Sequence, residues 1–162
     1  GGGDFSENRL IPDYLQSLKN NCSLYIRNSE HIRPWQHVME PIYGYIILSE
    51  LIYKKKINKK DFAWNFAPNN SNSVKVRDLI DLINKLSFKK VKIKYSKKKI
   101  KFSETKTLKL SNIKAKKNIA WKPIYNLKDT LRIILEWQYN YMNKKNIFLL
   151  IKQQIYDFVS KS

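Results

Sequence analysis

At 162 residues the chain is long enough for one domain with a real core, and 43% apolar residues exclude a disordered tail. A single cysteine, Cys22, excludes an internal disulfide framework and fits a reducing, cytoplasmic compartment. Lys and Arg total 32 against 13 acidic residues, and this net charge of +19, taken alone, suggests a polyanion partner such as nucleic acid.

Residues 7–20 carry Leu10, Ile11, Tyr14, Leu15 and Leu18 at helical spacing, with Pro12 tolerable in a first turn. Residues 24–27 are short and β-like. Arg33-Pro34-Trp35 reads as an ordered loop, because proline biases Arg33 away from helix, and 36–39 as a short strand. Residues 40–53 read as a largely apolar, buried helix ending in Lys54-Lys55-Lys56, cations suited to a helix C-terminus. Residues 62–67 form an apolar strand candidate, closed by the turn signal Pro68-Asn69-Asn70. Ser73 is placed to cap a helix over 74–86, whose stripe is Val76, Leu79, Ile80, Leu82, Ile83 and Leu86. Residues 91–95 alternate as a half-buried strand, and 96–103 form a lysine-rich loop. Ser111 caps a short helix to 119, broken by Trp121-Lys122-Pro123. Asn126 with Asp129 resembles a capping box opening a helix to about residue 142, and a last helix spans 146–159. Helices and strands interleave, which is a mixed α/β order.

Few constellations carry chemistry. Gly1-Gly2-Gly3-Asp4 lacks the spacing of a dinucleotide fingerprint and reads as a loop needing positive φ. It also lacks the basic and apolar regions of a signal peptide, and no apolar run reaches the length of a bilayer crossing. His31, His37 and Cys22 match no zinc spacing and read as structural or surface residues. Arg33, on a rigid aromatic-rich stretch, suits diphosphate recognition; pairing with Glu40 or Asp4 is the plainer alternative. Asn65, inside an apolar run, must find partners in backbone or ligand. The basic excess is nearly all lysine, whereas base-edge readout and phosphate clamps favour arginine. The lysines accompany abundant Asn and Ile, so drift toward A/T-rich codons on solvated faces explains the charge without a partner.

Ile26-Arg27-Asn28, the run from Ile32 through Arg33-Pro34-Trp35-Gln36-His37-Val38-Met39-Glu40 to Pro41, and Gly44-Tyr45 resemble the CDP-glucose 4,6-dehydratase family. The Gly1-Gly2-Gly3-Asp4 start with Asn8-Arg9-Leu10-Ile11-Pro12-Asp13, Ala63-Trp64-Asn65-Phe66, Leu108-Lys109-Leu110-Ser111 and Trp121-Lys122-Pro123 resemble it too. The resemblance implies an α/β fold: the C-terminal portion of an extended short-chain dehydrogenase/reductase, with late Rossmann strands and a small, mostly helical substrate-binding lobe. It implies that residues 1–162 bind the nucleotide sugar CDP-glucose, while NAD is held by an N-terminal Rossmann part absent from this chain. The implied reaction is lyase chemistry: NAD takes hydride from C4, water leaves across C5 and C6, and hydride returns to C6. The family's Tyr-x-x-x-Lys pair belongs upstream; Tyr95 with Lys99 and Tyr141 with Lys145 have that spacing in the wrong place. By resemblance Arg33 holds the diphosphate, Asn65 lies in the same neighbourhood, and Arg9 lies along the nucleotide. A homodimer is implied for the full-length protein, with no membrane partner. The chain departs from the family at Phe5, where Trp is common, and over 103–107, where His is frequent. The alternatives are a related nucleotide-sugar dehydratase or epimerase, a basic nucleic-acid-binding module, and an inactive remnant.

Overall fold

The computed structural model describes residues 1–57, 63–96 and 105–162. Helix α1, Leu10–Asn20, buries Tyr14, Leu15 and Leu18 on one stripe. Pro12 is its third residue, where a missing N–H is one of the orphan donors anyway. Asn21 ends the helix in the left-handed region (φ 54°), a conformation asparagine tolerates. Strand β1, Leu24–Ile26, follows with the alternation buried, exposed, buried.

Strand β2, Ile32–Pro34, replaces the loop expected around Arg33. It pairs antiparallel with strand β3, Ser73–Lys75, opposing Arg33 to Val74. Pro34 can end such a strand because it has no N–H to give the ladder. The strand expected over 36–39 does not form; that stretch leads straight into helix α2, Met39–Tyr53. Ser73 likewise belongs to β3 instead of capping a helix, and α3, Val76–Leu86, starts after Lys75 without a side-chain cap. Here sheet pairing with β2 outweighed the local capping preference of serine. Strand β4, Ile93–Tyr95, lies parallel to β1, Leu24 opposing Ile93.

Among the described residues, 63–69 join no strand ladder, so the described part of the expected 62–67 strand is not a strand. Gln36 and Asn112 side chains donate to the carbonyls of Phe66 and Ala67 at 2.7 and 2.9 Å, doing the work of a ladder. Phe62 and most of the expected 96–103 loop lie outside the described residues. Helix α4, Ile113–Ile119, ends at Ala120 in the left-handed region. Helix α5, Leu127–Met142, is capped by the Asn126 side chain accepting from the Asp129 N–H at 2.9 Å. Asn146 caps α6, Ile147–Val159, in the same way.

The main core joins α1, β1, α3 and α5: Leu79, Ile80 and Ile83 meet Tyr14, Leu18, Ile26, Leu131 and Ile134. A smaller core sets the inner side of α2 against Phe66, Ala115, Ile119 and Trp121. Helix α2 is not the buried helix expected: its buried residues are Glu40 and Gly44, while Ile42, Tyr45, Ile46, Ile52 and Tyr53 are exposed. Among the described residues no helix is long and apolar enough to cross a membrane.

Candidate functional site

In a parallel strand pair, ligand space opens beyond the carboxyl ends of the strands. Beyond β1 the chain turns through Arg27 and Asn28, and Ser96 after β4 donates its N–H to the Ile26 carbonyl at 2.8 Å. A cleft of about 210 Å³ opens there, lined by Asn8, Asp13, Tyr25, Arg27, Asn28, His31, Arg33 and Trp35. Among the described residues that line it, two arginines accompany one aspartate, side chains suited to an anion.

Arg33 is half-buried, and its guanidinium is held in place. Nη1 donates to the Ile32 carbonyl at 2.9 Å and reaches the Lys106 carbonyl at 3.5 Å, and Nη2 lies 3.1 Å from His31 Nδ1. Asp4 and Glu40 are engaged elsewhere: Asp4 lies 3.6 Å from Arg9, and Glu40 turns inward. Glu40 is fully buried and accepts from the N–H groups of Ile124 at 3.0 Å and Tyr125 at 2.7 Å. Burial pushes its carboxyl up, while those donors pull it down. His37 is buried against Tyr125, and burial lowers its imidazole to about 4, so it is neutral at physiological pH.

Of the three residues expected to grip substrate, only Arg33 lines this cleft. Arg9 lies between the lining residues Asn8 and Leu10, with its own side chain largely exposed and turned to Asp4. Asn65 is exposed on the 63–69 segment and does not line the cleft. Arg27, Asn28 and His31 were not singled out as site residues, although two signals mark them. Arg27 and Asn28 directly follow a strand, and His31 stands two residues before Arg33, hence on the same face of extended chain. A larger hollow of about 510 Å³ lies between 68–70 and 109–116; among the described residues its charged groups are Lys109 and Lys116.

The glycines do not build a dinucleotide cradle. A Cβ on Gly2 would fall 2.1 Å from the Trp137 ring, so Gly2 is small because Trp137 packs over it. Gly3 has φ +79°, which a glycine adopts without strain. The described glycines therefore offer NAD no pyrophosphate cradle. At 141 and 145, where the Tyr-x-x-x-Lys spacing recurs, Tyr141 stacks on Trp137 at 5.0 Å and Lys145 lies over the Tyr139 ring. Lys99 lies outside the described residues.

No family model matches the chain. It is 33% identical over 160 residues, 99% of its length, to CDP-glucose 4,6-dehydratase of Salmonella typhimurium, and covers 44% of that protein. Among solved structures, dTDP-glucose 4,6-dehydratase from Bacillus anthracis in complex with NAD aligns at TM-score 0.68 and 18% identity, covering 86% of this chain and 42% of that one. RMD from Pseudomonas aeruginosa complexed with NADPH aligns at 0.63 and 19%, covering 84% and 44%. UDP-glucuronic acid 4-epimerase from Bacillus cereus, in complex with UDP-glucuronic acid and NAD, aligns at 0.63 and 18%, covering 85% and 40%. The chain thus spans less than half the length of each of these relatives. It is a homologue, over nearly its whole length, of part of a CDP-glucose 4,6-dehydratase, and it shares part of the fold of these dehydratase, RMD and epimerase structures.

Proposed function

We propose that residues 1–162 are the C-terminal, nucleotide-sugar-binding portion of an NAD-dependent CDP-glucose 4,6-dehydratase, with the NAD site and the proton-transfer pair outside them. The observation that carries this reading is the cleft beyond β1, where Arg27 and Arg33 converge with Asn28 and Asn8. A guanidinium fork already fixed by backbone carbonyls suits a diphosphate, whose oxygens accept bidentate bonds. Asp13 and the two asparagines supply partners for hydroxyl groups. NAD, held elsewhere, supplies the hydride chemistry; the residues here bind and orient the substrate. Arg9 and Asn65 belong to this reading as flanking contacts for a ligand that extends past the cleft.

The outer side of α2 supports a larger unit. Ile42, Tyr45, Ile46, Ile52 and Tyr53 recur at helical spacing and are between 47% and 88% exposed. An apolar stripe of this kind is what a further layer of protein covers. The reading includes a cytoplasmic setting and a homodimer for the full-length enzyme.

The test is calorimetric binding of CDP, dTDP, UDP and GDP to the chain and to Arg33→Ala. CDP should bind in preference to the others, and Arg33→Ala should weaken it by about 1.5–3 kcal/mol, the scale of a hydrogen bond to a charged group. Equal affinity for all four points to a related dehydratase or epimerase; unchanged binding by Arg33→Ala removes the assigned role.

A further inference from the structure

Resting on that nucleotide-binding reading, we propose that His31 is a positioning residue, whose imidazole aims the Arg33 guanidinium into the cleft. His31 and Arg33 lie two residues apart at the start of β2, so their side chains share a face. The backbone of His31 is fixed on both sides: its N–H donates to the Asn28 carbonyl at 3.2 Å, and its carbonyl accepts from Val76 at 2.9 Å. Its Nδ1 lies 3.1 Å from Arg33 Nη2. A guanidinium has no acceptor, so arginine donates and Nδ1 presents its lone pair. The ring proton is therefore on Nε2, because the partner decides the tautomer.

Together with Ile32 and Lys106, this contact holds both terminal nitrogens of the Arg33 fork. A fork held before the ligand arrives loses less freedom on binding, which raises affinity without a new ligand contact.

Two variants separate the acceptor from the ring. His31→Asn keeps an acceptor close to the position of Nδ1; His31→Phe keeps only a flat ring. On the whole chain, ¹⁵N correlation of the His31 ring should show the Nε2–H tautomer, and an Nδ1–H tautomer overturns the proposal. In CDP titrations His31→Phe should bind about 3- to 10-fold more weakly, the range of ordering one long side chain on binding, with His31→Asn within about twofold of native. In an Arg33→Ala background His31→Phe should cost nothing further, since its effect runs through that arginine. Equal losses in both backgrounds, or no rescue by asparagine, overturn the positioning role. Weaker binding by Arg33→Ala with none lost by His31→Phe defeats the His31 role alone; no loss in either, or no CDP binding by the native chain, defeats the nucleotide reading with it.

Discussion

Helices α3 and α2 are both rich in apolar residues, yet they sit in different kinds of surroundings. In α3 the stripe Leu79, Ile80 and Ile83 is fully covered by α1, β1 and α5, and the other side is polar. In α2 one side meets Phe66 and Trp121, while the other exposes isoleucines and tyrosines. A narrow stripe can be satisfied by partners within the chain; a helix apolar all round needs protein on more than one side. The contrast separates a part of the molecule that is complete in itself from a part shaped for company.

The largest effect should come from the closed core. Leu79→Ala removes a fully buried side chain and should cost about 2–5 kcal/mol, read by urea unfolding. A loss under about 1 kcal/mol would mean that this core is no tighter than the α2 side.

Acid should act next, at the entry to α2. The folded value of His37 lies below its ordinary 6.5, at about 4, so the folded state binds fewer protons than the unfolded chain in between. Stability present above pH 6.5 is then lost as pH falls toward 4, on the order of 3 kcal/mol. His37→Gln should flatten that part of the pH profile, and hydrogen exchange at low pH should open α2 before α3. Simultaneous opening of both helices would join the two regions into one cooperative unit.

Gly44→Ala tests the covered side of α2. Its Cβ would lie 2.3 Å from the Phe66 ring, so the helix must shift away, at about 1–3 kcal/mol by thermal unfolding. Phe66→Leu in the same chain should recover part of that loss. The smallest effect belongs to the outer side: Ile46→Ser, at a position 60% exposed, should change stability by less than about 0.5 kcal/mol while lowering dye binding to apolar surface. A larger loss would show that the outer stripe is already covered.

Much of the fold was legible where local signals agreed with packing. The spacing of apolar residues marked α1, α3 and α5, and Asn126 capped α5 as its position before Asp129 implied. The misplaced elements share a cause. Ser73 looked like a cap and Arg33 like a loop, because neither neighbourhood reveals that 32–34 and 73–75 pair across about forty residues. Residues 62–67 looked like a strand, but the carbonyls of Ala63, Phe66 and Ala67 accept from the side chains of Lys114, Gln36 and Asn112 instead of from a neighbouring strand. Of the candidate site, Arg33 was visible through its chemistry. Arg27, Asn28 and His31 were not, since only the tertiary fold brings the turn after β1 and the residues around β2 into one cleft.

The sequence by itself determined the helices, the balance of charge and the likeness to nucleotide-sugar dehydratases, because periodicity, composition and motif residues are local properties of the chain. Only the tertiary structure decided which residues meet. It turned Arg9 toward Asp4, seated His31 against Arg33 and left one side of α2 bare. The physical reason is that such contacts depend on long-range pairing, where distance in space bears no fixed relation to distance along the chain.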